Sequence, residues 1–116
     1  MKFVKYREID AVKFDNDAAK KITGRVLIGK DDGADNFCMR LFEISKNGHT
    51  PCHTHEWEHE IFVHSGNGEV LCNNEWKPVA KGSALFIPGN EKHQIRNNND
   101  EPLIILCLVP SIAPEL

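Results

Sequence analysis

Three of the six histidines in this chain fall within seven residues, and their side chains are the ones best suited to metal chemistry. His53 and His55 lie two residues apart, so a strand would place both imidazoles on the same face. His59 follows in the same polar segment, which leads into the apolar stretch 61–63. Because imidazole is a common ligand of transition metals, this spacing favours a metal site over a chance cluster of solvent-exposed histidines.

The third ligand from this segment is His59 or Glu60, and the alternation of the following strand distinguishes them. One face of that strand carries His59 with two aliphatic residues, whereas the other carries Glu60 with Phe62 and His64. A barrel interior takes the apolar face. Provided that the strand has begun by residue 59, we expect His59 to be a ligand and Glu60 to face outward or to lie behind the ligands. His64, like His49, is interpreted as a surface histidine.

His93 is the candidate for a fourth ligand, although it comes much later in the chain. It opens a strand-like segment, 93–96, that follows a Pro-Gly turn. Two distant hairpins of a closed barrel can face each other across its cavity. Four neutral imidazoles suit Mn, Fe, Co, Ni, Cu or Zn. A six-coordinate ion would keep two open positions for water, O₂ or a bidentate substrate, whereas a tetrahedral zinc ion would be closed and structural.

The segments that must position these histidines are short and strand-like, with turn residues between them. They are 25–28, 37–44, 60–64, 69–72, 76–79, 84–87, 93–96 and 103–109, the last of which is apolar throughout and predicts a fully buried strand. Asn47-Gly48 and Pro88-Gly89 are strong turn signals. Many short strands with regular turns and no convincing helix predict an all-β sandwich or barrel, and a jelly roll suits the length.

The two ends of the chain lie outside this pattern. Residues 3–14 alternate weakly between apolar and polar and predict edge strands, while 18–22 could form one short helical turn. An exposed edge favours pairing with the sheet of a second copy, so we expect a homodimer. The tail, 111–116, is expected to fray.

Composition restricts the class of protein. With 116 residues and a net charge of −3, the chain fits one domain and lacks the basic footprint of a nucleic-acid-binding protein. The first eight residues contain no apolar core of a signal peptide, and the longest apolar run, Leu103–Val109, is too short to span a membrane. A cytoplasmic protein is therefore expected, whose four cysteines, none in a CxxC pair, are free thiols.

Two motifs resemble those of the cupin superfamily. The first cupin motif joins a Gly, a His-x-His pair, a Glu and a second Gly, and here it corresponds to Gly48, His53, His55, Glu60 and Gly66 with spacings that differ by one residue at each glycine. The second motif corresponds to Gly82, Pro88, His93 and Asn97 at the family spacings, with Gly89 one position ahead of the usual turn glycine. The resemblance covers residues 24–110. It implies a double-stranded β-helix. The edge segment 1–23, which is the expected dimer contact, precedes the barrel, and the tail, 111–116, follows it.

A narrower resemblance is to small single-domain manganese cupins with a four-histidine site. It is carried by the segments 25–29, 36–37, 39–42, 57–63 and 106–110. In that group a histidine replaces the usual glutamate ligand, which implies the metal ligands His53, His55, His59 and His93. The resemblance implies a homodimer with manganese as the first choice of metal, and Fe, Cu, Ni, Co or Zn as alternatives. It also implies two adjacent free positions on the metal and oxygenase-like activity on small organic molecules.

The candidate pocket residues are Arg40, Ile105 and Cys107. Similar cupins turn the face that carries Ile105 and Cys107 into the cavity. Arg40 interrupts an apolar strand, so it either lies outside the barrel in solvent or faces the cavity, where it could hold a carboxylate or enolate. Trp57 lies between two ligands and could act as a lid or as a packing or interface residue. No catalytic residue is identified from the sequence.

Three functions remain open. The first is a mononuclear metal-dependent oxygenase that acts on a small organic molecule. The second is a redox-silent metal-dependent isomerase or lyase, which would need a base such as Glu43 or a metal-bound hydroxide. The third is a non-enzymatic cupin that binds a metal or small ligand. The expected partners are a small molecule and a second copy of the chain. Binding to nucleic acid or to a membrane is not expected.

Overall fold

The structure is a computed structural model that describes residues 1–116, and it folds as one curled antiparallel sheet of nine strands. The strands are β1 (Val12–Phe14), β2 (Lys20–Ile28), β3 (Phe37–His49), β4 (His59–Ser65), β5 (Asn67–Cys72), β6 (Glu75–Ala80), β7 (Ala84–Ile87), β8 (Gln94–Arg96) and β9 (Leu103–Pro110). Their order is β6-β5-β8-β3-β9-β4-β7, and β2 joins β1 to β3. The predicted all-β jelly-roll barrel is confirmed. The only helical elements are 3-10 turns at Tyr6–Glu8 and Lys30–Asp32.

The long strand β3 connects the parts of the sheet. It pairs with β2, with β9 over Phe37–Ile44, and with β8 at His49. The register of β9 places Cys107 opposite Arg40 on β3 and opposite Ile61 on β4. Three residues that are distant in sequence therefore form one row across the sheet.

Strand β4 begins at His59, and its alternation is clear. His59 and the aliphatic residues that share its face are buried, whereas Glu60, Phe62 and His64 are exposed. The prediction that the strand has begun by residue 59 and turns His59 inward and Glu60 outward is confirmed. The alternation follows from a sheet with one face on the core and the other toward solvent.

Strand β9 alternates as well, which contradicts the prediction of a fully buried strand. Leu103, Ile105, Cys107 and Val109 are buried, while the residues between them are only half-buried. Because β9 lies between β3 and β4 in a single sheet, one face packs in the core and the other is only partly covered. Because every residue of 103–109 is apolar, the sequence does not show which face of the strand is buried and which is only partly covered.

The core is aliphatic and lies inside the curl of the sheet. Ile44, Val63 and Leu103, from three different strands, have no exposed surface. Burying an aliphatic side chain of this size contributes about 1.5–3 kcal/mol relative to leaving it in water. These contacts between β3, β4 and β9 stabilise the part of the barrel that carries His59. The structure contains no helix with the length and hydrophobicity that crossing a membrane requires.

The turn predicted at Asn47-Gly48 is not a turn. Strand β3 continues to His49, which pairs with Lys20, and Asn47 has a φ of 65°. The register of β2 and β3 shifts between Lys20 and Ile22, so the positive φ is accommodated in an irregularity of the ladder. A Cβ atom on Gly48 would lie 2.7 Å from the Lys20 carbonyl oxygen, so only glycine allows this close approach.

Three further predictions about the ends of the chain differ from the structure. The segment 18–22, for which one helical turn was left open, forms none, since β2 begins at Lys20 and sheet pairing outweighs the weak helix preference of so short a segment. Of residues 3–14, only Val12–Phe14 form a strand, which pairs with β2 of the same chain. The tail does not fray: Ala113 is buried, and the Glu115 carboxylate accepts a hydrogen bond from the Lys30 backbone N–H at 2.9 Å.

Candidate metal centre

The structure brings the imidazoles of His53, His55, His59 and His93 together. One ring nitrogen from each lies within 4.8 Å of the others. His53 and His55 lie on the connection between β3 and β4, His59 opens β4, and His93 directly precedes β8. The backbones of His53 and His93 form an isolated antiparallel bridge with N–H···O distances of 3.2 and 3.1 Å. This bridge fixes the two distant motifs against each other.

Backbone carbonyl groups determine how two of the rings are oriented. Nδ1 of His55 donates to the Trp57 carbonyl oxygen at 2.8 Å, and Nδ1 of His93 donates to the Glu91 carbonyl oxygen at 2.9 Å. A carbonyl oxygen only accepts, so both hydrogens are on Nδ1 and both Nε2 atoms have free lone pairs. A hydrogen bond from the second nitrogen is the usual way in which a metal-binding imidazole is oriented.

The distances between the rings fit one metal ion. Nε2 of His55 lies 2.8 Å from Nε2 of His59. Two facing lone pairs at this distance need a hydrogen or a cation between them. Metal–nitrogen bonds of about 2.1 Å at right angles put two ligand nitrogens about 3 Å apart. Four neutral nitrogen donors with this geometry therefore suit a divalent transition metal.

The environment favours the neutral form of three imidazoles, those of His53, His55 and His59. Burial is the main cause that lowers the pKa of His59 to about 3, and the nearby Arg40 guanidinium lowers it further. Burial also lowers the pKa of His53 and, with partial compensation from the hydrogen bond to Trp57, that of His55. Protons therefore do not compete with a metal ion for these rings at neutral pH.

A line of contacts extends from His59 into the barrel wall. Nδ1 of His59 lies 3.3 Å from Sγ of Cys107, and Nη2 of Arg40 donates to the same sulfur at 3.0 Å. Arg40 is 8% exposed, so its side chain faces inward. This settles the position that the sequence left open for Arg40. On the other side of the cluster, the indole of Trp57 is stacked on His55.

A cavity of about 200 Å³ adjoins the histidines. His53, His59 and His93 lie on its wall together with all three predicted pocket residues, Arg40, Ile105 and Cys107. The rest of the wall consists mainly of apolar side chains: Phe14, Ala19, Ile22, Phe42, Thr50, Pro51, Ile61, Ile95 and Leu116. No Asp or Glu side chain lines the cavity.

Sequence reasoning missed the contribution of the chain ends to this wall. Phe14, Ala19 and Ile22 belong to the segment that was assigned to the dimer contact, and Leu116 belongs to the tail. Nothing in their spacing indicates a role in the cavity. Only the pairing of β1 with β2, and of β2 with β3, brings that segment to the cavity.

The remaining candidate residues lie away from the cavity. Glu60 is exposed, as are His64 and Cys52. Glu43, considered as a possible base, is half-buried and forms an ion pair with Arg25 at 3.4 Å outside the cavity. His49 is half-buried rather than on the surface, and its Nδ1 lies 3.3 Å from the side-chain amide nitrogen of Gln94.

Asn97 stabilises the fold beside the histidines through buried hydrogen bonds. Its position in the second motif did not indicate this role. Asn97 has no exposed surface. Its Nδ2 donates to the carbonyl oxygens of Ile44 and Glu101 at 2.9 and 2.8 Å, and its Oδ1 accepts from the Asn99 backbone N–H at 2.8 Å. The side chain thereby ties the loop after β8 to β3.

Comparisons with known proteins agree with this architecture. The family model described as Cupin domain matches residues 40–109. The chain is 32% identical over 71 residues to 1-methylthio-D-xylulose 5-phosphate methylsulfurylase of Rhodospirillum rubrum, a match that covers 61% of this chain and 46% of that protein. The chain thus spans about half the length of this curated relative.

Two solved structures share the fold. The polyketide cyclase RemF from Streptomyces resistomycificus superposes with a TM-score of 0.90 at 37% identity, covering 96% of this chain and 80% of that one. A putative sugar phosphate isomerase from Acidithiobacillus ferrooxidans has a TM-score of 0.70 at 26% identity, covering 77% of this chain and 58% of that one.

Proposed function

This chain belongs to the cupin family, and because four of its histidines present neutral donors to one point, we propose that it is a metal-dependent enzyme acting on a small organic molecule. The observation that carries the proposal is the 2.8 Å approach of two Nε2 atoms beside a cavity of about 200 Å³. His53, His55, His59 and His93 would hold the ion. Manganese is the expected metal, with Fe, Cu, Ni, Co and Zn as alternatives.

The ion would supply Lewis acidity, and a redox-active ion would also supply electron transfer. The chain's own residues provide the rest of the site. Aliphatic side chains such as Ile61, Ile95 and Ile105 exclude water from a bound molecule. The Nδ1 hydrogen bonds of His55 and His93 keep both rings in the tautomer that binds a metal.

A redox-silent reaction, such as a cyclisation or isomerisation, is the better supported of two reaction types. It is supported by the likeness to RemF, which is described as a polyketide cyclase and matches nearly the whole chain. The Rhodospirillum rubrum relative and the Acidithiobacillus ferrooxidans protein are likewise named for reactions other than oxygenation. A ring closure or an isomerisation needs no O₂.

An oxygenase-type reaction is the second candidate. It is supported by the absence of any carboxylate side chain on the cavity wall, since general acid–base chemistry has no obvious carboxyl group to use there. Metal-dependent oxidation of a bound molecule does not depend on such a group. Both candidates use the same four histidines and the same cavity.

The experiment that tests the proposal combines metal analysis with turnover. Protein purified without added metal should contain about one transition metal ion per chain. We would use phenylpyruvate, an enolisable aromatic carboxylate, as the probe and follow its conversion by mass spectrometry with and without O₂. Conversion that persists without O₂ supports the redox-silent reaction, whereas conversion coupled to O₂ uptake supports the oxygenase. Protein without bound metal, made in medium that contains all six candidate metals, would contradict the proposal.

A homodimer formed through segment 1–23 is a further proposal. Its support is the exposure of apolar side chains there, with Phe3 90% and Val12 47% exposed. Strand β1 is also an edge strand with one free side. Light scattering at micromolar concentration should give twice the chain mass of 13.1 kDa. A mass equal to one chain would overturn the dimer.

A further inference from the structure

Arg40 is a buried cation without an anionic partner. Its side chain forms a single hydrogen bond, from Nη2 to Sγ of Cys107 at 3.0 Å, and it takes part in no ion pair. Its Nε atom is buried and has no hydrogen-bond partner at all. A charged group removed from water costs several kcal/mol unless a counter-charge and hydrogen bonds compensate. The guanidinium of Arg40 is therefore an uncompensated cation for which an anionic ligand is expected.

The position of Arg40 connects this group to the cavity. Arg40 lies on the cavity wall, opposite Cys107 in the sheet, with its Cζ 5.0 Å from the centre of the Phe42 ring. It is the only Lys, Arg, Asp or Glu on that wall. Arg25 on the neighbouring strand differs, because it is paired with Glu43 and bonded to the Ile9 carbonyl oxygen. Only Arg40 has donors to spare beside the histidines.

The charges in the cavity point to an anion. Four neutral imidazoles leave the charge of a divalent ion uncompensated, and Arg40 adds a further positive charge next to them. No carboxylate side chain on the wall offsets either. Because Arg40, His59 and His93 are buried, opposite charges attract more strongly beside them than in bulk solvent. A ligand with a negatively charged oxygen would satisfy both Arg40 and the open side of the metal site.

The size and lining of the cavity restrict the rest of the ligand. A cavity of about 150 Å³ accommodates benzene, so the roughly 200 Å³ available here fits one ring or a short branched chain with a carboxylate. The aliphatic wall, with Ile22, Ile61 and Ile105, favours an apolar body. Large or multiply charged molecules do not suit this lining.

We propose that Arg40 binds a negatively charged carboxylate or enolate oxygen of a small, apolar substrate through those of its guanidinium N–H groups that face the cavity. Arg40 is then the residue that determines specificity for anionic substrates at the site described above. The role of Arg40 in substrate specificity rests on the proposed function. Anion binding by Arg40 does not, and it can be measured without any reaction. Carboxylates are strong acceptors for guanidinium N–H groups, and charge-assisted hydrogen bonds of this kind are about twice as strong as neutral ones.

Benzoate and its neutral isostere benzamide test the proposal by calorimetric titration of the full chain as purified. Wild-type protein should bind benzoate at least tenfold more tightly than benzamide, which corresponds to about 1.4 kcal/mol. Arg40→Met should lower this preference at least threefold, while the matched variant Arg25→Met should retain it. Equal affinity of the wild type for the two probes, or an undiminished preference in Arg40→Met, would overturn the proposal.

Two additions keep the outcome clear. If Arg40→Met does not fold, Arg40→Lys replaces it, and its preference should fall at least threefold because an ammonium group cannot reproduce the planar fork of guanidinium N–H groups. A preference equal to that of the wild type would then overturn the proposal. Metal content measured on the same samples separates the two ideas: Arg40-dependent benzoate binding without metal refutes only the proposed enzyme, and metal with Arg40-independent binding refutes only the anion site.

Discussion

The indole of Trp57 lies nearly parallel to the imidazole of His55, with ring centroids 4.3 Å apart and an angle of 9° between the planes. The backbone carbonyl of the same residue accepts the Nδ1 hydrogen of His55 at 2.8 Å. One residue therefore fixes both the orientation of this ring and its tautomer. Trp57 in turn packs against the hydrophobic core, so the loop that carries His55 is held by the barrel.

Replacing Trp57 with alanine should weaken metal binding by about tenfold or more, as is usual when a residue that orients a metal ligand is lost. The backbone acceptor remains in this variant, but the ring loses its stacked neighbour. Trp57→Phe should preserve most of the affinity. Competition with a chromogenic chelator measures the effect, and unchanged affinity in Trp57→Ala would show that stacking does not position His55.

Asn97→Ala should destabilise the fold by about 3 kcal/mol, because it leaves the buried Ile44 carbonyl, the Glu101 carbonyl and the Asn99 backbone N–H without this partner. The neighbouring Asn98 provides a matched control. It is exposed and forms one side-chain bond, to Glu69, so Asn98→Ala should cost less than about 1 kcal/mol. Urea denaturation of both variants checks the difference, and similar losses would contradict the assigned role of Asn97.

The low pKa of His59 makes the stability of the metal-free protein depend on pH. Burial lowers this pKa from 6.5 to about 3, so the folded protein keeps His59 neutral while the unfolded chain takes up a proton below pH 6.5. Above pH 6.5 His59 is neutral in both states and does not affect the free energy of unfolding. As the pH falls from 6.5 toward 3, proton uptake by the unfolded chain lowers the stability of the folded protein.

The non-titrating variant His59→Gln isolates that contribution. Urea denaturation in the presence of a chelator should show that the wild type loses stability faster than the variant as the pH falls through this window. Parallel pH profiles of the two proteins would contradict the assignment.

The cysteines should differ widely in reactivity. Cys38 is buried, and burial raises the pKa of its thiol to about 11, whereas Cys52 is exposed. Because the thiolate is the reactive form, a disulfide reagent at pH 8 should label Cys52 rapidly and Cys38 only after unfolding. The variant Cys52→Ser should lack the fast phase. Rapid labelling of Cys38 in the folded protein, located by peptide mass mapping, would contradict its burial.

Local periodicity made much of the site predictable. In β4 the two-residue repeat has one face on the core, so the choice of His59 over Glu60 as the inward residue followed from the sequence alone. The second motif brought in His93, and the structure places it against His53 through a backbone bridge. Both cases depend on patterns confined to a few neighbouring residues.

Other features depend on pairings between distant segments and left no local signal. Arg40 lies with Phe42 on the face of β3 that lines the cavity, and the pairing of β3 with β2 and β9 determines which face that is. Asn47-Gly48 has the composition of a turn, but pairing with β2 and β8 extends the strand through it. The apolar face of β2 at Ile22 completes the cavity only through contacts with β3.

The metal content of His59→Ala and Glu60→Ala tests the central claim most directly. The two residues are adjacent, but His59 is buried in the cluster and Glu60 is exposed on the opposite face of β4. We expect the wild type and Glu60→Ala to contain about one transition metal ion per folded chain by elemental analysis, and His59→Ala to contain little. Metal that is retained without His59 but lost without Glu60 would contradict the four-histidine centre.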